Sequence, residues 1–243
     1  MNYAIEVKNL SKSYGEVKAI ENISFSIRNG EFFGLLGENG AGKSTTIECI
    51  LGTKRQDKGN VSILGMQTKE KRAEIFDKVG VQFQESNYQE KIKVNELCEV
   101  TTSLYKDTLD YNELLKQFNL LDKSNSMVNE LSGGQRQRLF IVLALIPNPE
   151  VIFFDELTTG LDTKARRDVW KRLSSLKNDK ISILLTSHYM EEVNTLCDRI
   201  MILKNGRSVF CGTIEEAIKA SPCDNFEDTY LWFTNEEEKN EII

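Results

Sequence analysis

The stretch EFFGLLGENGAGKSTTIECILG, residues 31–52, decides the fold class of this chain. It opens on EFFGLLG (31–37), a continuous apolar run of the kind a strand shows when both of its faces are buried. It closes on KSTTIECILG (43–52), which reads as a helix stopped by Gly52. Between the two, GENGAGKS (37–44) satisfies the spacing G-x-x-x-x-G-K-[ST] in the strand–turn–helix context of a phosphate-binding loop. Glycines let backbone N–H groups converge on phosphate oxygens, and the helix N-terminus adds partial positive charge. On this reading Gly37, Glu38, Asn39, Gly40, Ala41, Gly42, Lys43, Ser44 and Thr45 form the phosphate cradle. Lys43 bridges the β- and γ-phosphates, and the Ser44 hydroxyl suits a Mg²⁺ ion. A tight turn without a ligand has no need of a lysine followed by a hydroxyl.

The flanking sequence has a strand–helix rhythm. AIEVKNL (4–10) and AIENISFSI (19–27) alternate as strands, and VSILGM (61–66) and KVGVQF (78–83) read as further strands. From about residue 86 to 148 glycine nearly vanishes until Gly133. Within this span VNELCEVTTSLY (94–105) and YNELLKQFNLL (111–121) carry helical spacing. The pattern predicts a helical insertion, its last helix ended by Pro147 and Pro149. VIFF (151–154), a helix at about 163–177, ISILL (181–185), a helix at about 189–197 and RIMIL (199–203) then follow. That βαβ order predicts a mainly parallel sheet with helices on both faces. The last stretch, 221–243, is an acidic tail for which Tyr230, Leu231, Trp232 and Phe233 favour order.

Composition narrows the function classes. The 243 residues are 40% hydrophobic and 28% charged, enough apolar material for one sizeable domain with a small insertion. A net charge of −6 argues against general nucleic-acid binding, which leans on basic surface. No apolar run approaches the ~20 residues that span a bilayer, and the N-terminal stretch lacks a signal-peptide core. The chain is therefore expected to be soluble and cytoplasmic, with any membrane work done through a partner. Cys49, Cys98, Cys197, Cys211 and Cys223 form no CxxC pair, which disfavours zinc and suits reduced thiols.

Three more motifs carry chemistry. VIFFDE (151–156) delivers two adjacent acids to the end of a buried strand, which is costly unless a cation waits there. Asp155 suits a hold on Mg²⁺, and Glu156 is placed as general base for a water attacking the γ-phosphate. LSGGQ (Leu131, Ser132, Gly133, Gly134, Gln135) precedes the helix RQRLFIVLALI and offers a second glycine-rich helix start able to grip phosphate. LLTSHYMEE (184–192) holds the single histidine, His188, at the end of a buried strand, the edge where α/β ligand sites form.

Taken together, GENGAGKST, Gln84 in VQFQES, LSGGQRQR, VIFFDELTTGLD and LLTSHYMEE, in this order and spacing, resemble the nucleotide-binding subunit of an ABC transporter. The resemblance runs from about residue 3 to 220. TTGLD and the HYMEE…LCDRI run look most like the exporter branch that handles drugs, antibiotics or lipids. It implies a P-loop NTPase core (1–85 and 149–220) with a mainly parallel sheet, an N-terminal antiparallel β subdomain and an inserted α-helical subdomain (about 86–148). It also implies a head-to-tail dimer, with itself or a homologous subunit, around two ATP. Each ATP would touch the phosphate loop of one subunit and LSGGQ of the other, which explains two phosphate grips on one chain. By position Tyr14 stacks on adenine, Gln84 joins Mg²⁺ and the attacking water to the helical region, Asp162 crosses the dimer interface, and His188 meets the γ-phosphate. A membrane-spanning permease would be the partner, holding the chain at the inner face of the membrane. The alternative is a soluble ATPase of the same family acting on ribosomes or DNA; those usually carry two cassettes or a coiled coil, and this chain shows neither. One position departs from the pattern: Leu157 stands where the family usually has proline, and is expected to loosen the segment between Glu156 and Asp162.

Overall fold

The computed structural model describes residues 3–82, 91–158, 160–177 and 179–235; Gln84 and the tail beyond Asn235 lie outside them. In chain order the strands and helices are β1 (Tyr3–Tyr14), β2 (Val17–Arg28), β3 (Phe32–Gly37), α1 (Lys43–Ile50), β4 (Lys58–Ile63), β5 (Met66–Gln67), α2 (Arg72–Phe76) and β6 (Val79–Gln82). There follow α3 (Val94–Ser103), α4 (Tyr111–Gln117), α5 (Gly133–Leu145), β7 (Val151–Phe154), α6 (Thr163–Ser175), β8 (Ser182–Thr186) and α7 (Met190–Leu196). The last described elements are β9 (Arg199–Lys204), β10 (Arg207–Gly212), α8 (Ile214–Lys219) and α9 (Phe226–Thr234).

Two sheets result. The alternating N-terminal strands pair antiparallel in the order β2-β1-β4-β5, with Ile5 opposite Ile27 and Val7 opposite Phe25. The second sheet runs β10-β9-β3-β8-β7-β6, parallel from β9 to β6 with β10 antiparallel at the edge. The continuous apolar runs are explained by a period of two read on both faces. Phe33, Leu35, Phe153, Leu184 and Met201 point to one side, into a core shared with the antiparallel sheet and with Ile47 and Ile50 of α1. Phe32, Ile152, Phe154, Ile183 and Leu185 point to the other, into a core shared with α3, α4, α5 and α6. Each fully buried Phe, Leu or Ile there contributes about 1.5–3 kcal/mol relative to exposure.

The helices between β6 and β7 do not close a core of their own. Val94, Leu115 and Leu139 belong to the same hydrophobic cluster as Phe32 and Phe154 of the sheet. The approach is close at Gly80 of β6, where an added Cβ would run into the Ala144 carbonyl oxygen of α5. One feature goes beyond the sequence expectation. An Asn205-Gly206 turn, with φ of 49° and 75°, folds β9 back into β10. The first part of the acidic tail forms α9, capped by the Asn225 side chain and sealed by Phe226 and Phe233 in a third cluster with Leu36, Ile200 and Ile202.

Gly80→Ala is expected to cost about 3 kcal/mol through overpacking against the α5 backbone, lowering the melting temperature by roughly 5–10 °C. Circular dichroism melting checks this, and a shift of less than about 2 °C would mean that α5 can move away freely.

Candidate active site

The parallel strands deliver their polar residues to one edge of the sheet. β3 leads into the phosphate loop, β7 into Asp155 and Glu156, and β8, which lies between those two strands, into Thr186, Ser187 and His188. Position 42 requires glycine: φ is 103° and a Cβ would meet the Ala19 carbonyl oxygen. The Gly42 carbonyl accepts from both the backbone N–H and the hydroxyl of Thr46, fixing the start of α1. A cleft of about 580 Å³ opens here, lined by Asn39, Gly40, Gly42, Lys43, Ser44, Thr45, Glu156 and His188, with Ala19 and Tyr189. Ala41 is buried beneath it and its N–H bonds the Glu38 carbonyl at 3.1 Å.

Lys43 lies along its own loop. Its Nζ donates to the carbonyl oxygens of Gly37 (2.7 Å) and Glu38 (3.0 Å). Burial pushes its pKa down, and the neighbouring charges of Glu156, Asp155 and Glu38 oppose that shift and favour the ammonium. The cation that VIFFDE demands is therefore close at hand.

Thr186 organises the acids. Its hydroxyl donates to Asp155 Oδ1 at 2.6 Å and accepts from the Glu156 backbone N–H at 2.9 Å. Asp155 is buried and its N–H bonds the Gln82 carbonyl, in register with β6. Glu156 takes φ of +54°, a left-handed conformation that costs a non-glycine residue on the order of 1–3 kcal/mol and persists only where the surroundings hold it. The turn aims its carboxylate at His188: Glu156 Oε1 and His188 Nε2 are 2.9 Å apart. The lone histidine and the second acid thus meet, although 32 positions separate them.

The other expected residues lie outside this cleft. Tyr14 ends β1, 44% exposed, with the ammonium groups of Lys12 and Lys54 at 5.3 and 5.4 Å from its ring centre. Leu131 is buried, and Ser132 caps α5 by accepting from the Gln135 N–H while the Gln135 side chain accepts from the Ser132 N–H. Gly133 and Gly134 start that helix close to Gly160 and Leu161, not to the phosphate loop of the same chain. Asp162 caps α6 by accepting from the Ala165 N–H at 2.9 Å. Gln84 lies outside the described residues.

The loosening expected at Leu157 is not found. Its side chain has no exposed surface, its carbonyl accepts from Gln137 Nε2 at 2.5 Å, and the next residue, Thr158, bonds the buried Glu192. A large apolar side chain driven into the core pins the segment by burial where proline would restrict it by φ. Sequence reasoning also missed Thr186, although a hydroxyl inside the buried run ISILLT was a visible signal. Thr186→Val removes the hydroxyl and leaves the Glu156 N–H unsatisfied, a cost of about 1–3 kcal/mol at the turn. Phosphate release from ATP is expected to fall roughly tenfold or more with nucleotide affinity held; an unchanged rate would remove Thr186 from the site.

Known proteins resemble the chain in sequence and in fold. A family model described as ABC transporter matches residues 20–159. The chain is 39% identical over 220 residues to Nod factor export ATP-binding protein I of Rhizobium etli, covering 88% of this chain and 70% of that protein. It is 36% identical over 229 residues to the protein of the same name in Burkholderia orbicola, covering 92% and 75%. Among solved structures, an ATP-binding subunit of an ABC transporter superimposes with a TM-score of 0.87 at 28% identity, covering 96% of this chain and 100% of that one. A dimeric ATP-binding cassette in a post-hydrolysis state with ADP and Pi gives 0.78 at 28% identity, covering 86% and 98%. With the phosphate loop, the paired acids and the histidine gathered at one sheet edge, the chain belongs to the ABC transporter family and is its ATP-binding, ATP-hydrolysing cassette.

Proposed function

We propose that this cassette powers export through a separate membrane-spanning permease, of a drug, antibiotic or lipid-like substrate. It works as a head-to-tail pair, with a second copy or a homologous subunit, around two ATP molecules. The contact between Glu156 and His188 beside Lys43 carries the hydrolytic part of this reading. Export is supported by the names of the relatives, which are export ATP-binding proteins. Pairing is supported by the position of Ser132–Gln135 away from the cleft of their own chain, and by the dimeric neighbour. Placement at the inner face of the membrane then depends on the permease, since among the described residues no helix is long and apolar enough to cross a bilayer.

ATP sits with its phosphates on the loop 37–45 and draws the Lys43 ammonium to its β- and γ-oxygens. The Glu156 carboxylate takes a proton from water as the water oxygen attacks the γ-phosphorus. The bond to the β–γ bridging oxygen breaks, and ADP and phosphate leave. His188, which stands beside that carboxylate, hydrogen-bonds the γ-phosphate. The Ser44 hydroxyl and the Asp155 carboxylate fit Mg²⁺, with Gln84 as the third candidate donor; the ion would offset charge on the phosphates. Both are hard oxygen donors, and among the described residues no cluster of three His, Cys, Asp or Glu forms a cage. Such a site suits an ion that shares its shell with phosphate and water. Tyr14 stacks on adenine from the end of β1, and Ser132 and Asp162 face the partner's nucleotide and interface.

Glu156→Gln and His188→Ala are expected to lower phosphate release at least a hundredfold, the scale of a lost general base, while ATP binding stays within about threefold of the parent. Unchanged release in Glu156→Gln would refute the assigned base. Tyr14→Ala should weaken ATP binding by about 1–3 kcal/mol, and titration with a fluorescent ATP analogue measures it. Affinity purification from detergent-solubilised membranes tests the partner; recovery of the cassette with no polytopic membrane chain would sink the transport reading.

A further inference from the structure

Glu192, in the first turn of α7, has no exposed surface. A carboxyl group there is costly unless its oxygens are bonded, and burial pushes its pKa above the usual carboxylate range, opposed by Ser187, Thr158, Trp170 and Arg166. Its Oε1 accepts from the Thr158 hydroxyl and from the Trp170 indole N–H, both at 2.7 Å. One buried carboxyl oxygen is thus shared by donors from two separate segments, Thr158 and Trp170 of α6.

Its position explains the arrangement. Thr158 stands two residues after Glu156 and four before Asp162; Glu192 stands four residues after His188. One carboxyl oxygen therefore ties the segment leaving the second acid to the helix that follows the histidine. Arg166 makes the same link from the other side, with its guanidinium 3.8 Å from the Tyr189 ring centre and Nη2 donating to the Leu161 carbonyl at 3.4 Å. Glu156, at φ +54°, sits between two anchors: the Thr186 hydroxyl on its own N–H, and Thr158 two residues on. A left-handed residue needs such holding on both sides.

We propose that Glu192 is a positioning residue for ATP hydrolysis, clamping Thr158 to α7 so that the Glu156 carboxylate and His188 stay within hydrogen-bond distance. The inference rests on the reading of Glu156 and His188 as the hydrolytic pair. It adds a residue that touches neither nucleotide nor water and acts through the geometry of two that do.

Five variants, Thr158→Val, Glu192→Ala, Glu192→Gln, Trp170→Phe and Glu156→Gln, test it through ATP turnover at saturation, KM for ATP and melting temperature. Thr158→Val keeps the side-chain shape and loses the donor; kcat should fall at least fivefold with KM within twofold. Glu192→Ala should fall at least tenfold, and Glu192→Gln, which keeps an acceptor for both donors, should regain at least half of the parent rate. Trp170→Phe breaks the bond that does not involve the active segment, and should lower the melting temperature while kcat stays within twofold. A Thr158→Val protein that turns over within twofold of the parent overturns the clamp, as does a kcat that merely tracks melting temperature across the set. If Glu192→Ala fails to fold, Thr158→Val and Glu192→Gln still decide. An inactive Glu156→Gln beside a normal Thr158→Val removes the clamp alone; a normal Glu156→Gln removes the hydrolytic reading beneath it.

Discussion

The Thr186 hydroxyl, donating to Asp155 and accepting from the backbone of Glu156, is the bond around which the site is arranged. It exists because β7 and β8 are adjacent and parallel, with Phe154 in register with Leu185, so that both strands stop at the same height. A sheet covered on both faces can present polar groups only at its ends, where backbone and side chains regain access to water and ligands. The chain uses that restriction fully. β3, β7 and β8 are buried along their length, and each leads at its C-terminal end into polar residues at the same edge. The electrostatics follow from the same crowding, since Lys43 loses solvation in the loop and is compensated by Glu38 and by the two acids that β7, two strands away, brings to the same edge.

How much of this was legible depends on whether the determining interactions were local. The phosphate loop is local: strand, turn and helix are contiguous, and Gly42, Lys43 and Ser44 stand where the spacing puts them. The double-faced burial of β3, β7 and β8 was equally readable, because an uninterrupted apolar run has no solvated face to offer. The hairpin from β9 to β10 is local as well, carried by the Asn205-Gly206 turn. What could not be read is long-range. Nothing near Glu156 in the sequence announces that its backbone turns left-handed, or that its carboxylate meets a histidine 32 positions later. Leu157 misled for the same reason. Judged by its neighbours it removes a constraint, yet in three dimensions its side chain is locked in the core beneath the acids.

The C-terminal segment shows how composition can conceal structure. It is acidic overall, but Phe226 and Phe233 are buried against β9 and α7, and Trp232 meets the Phe233 ring edge-on at 4.9 Å. The helix ends close to the back of the phosphate loop. Thr234 and Asn235 share a small cleft with Glu38, Asn39, Gly40 and Ala41, and Glu38 adds to the burial that raises the Tyr230 pKa to about 12. The end of α9 and the phosphate loop thus line one cleft.

The alternation of faces along β7 also limits how this chain can change over time. Replacing one apolar side chain in VIFF by another alters volume and little else. Losing or gaining a single residue there would exchange the environments of Ile152, Phe153 and Phe154 at once, because successive side chains point to opposite faces. It would also shift Asp155 and Glu156 along the sheet by about 3.3 Å, away from Thr186 and His188. The strand is tolerant of drift in composition and closed to drift in length, so insertions and deletions in this lineage should collect in the connections and leave β7 at four residues.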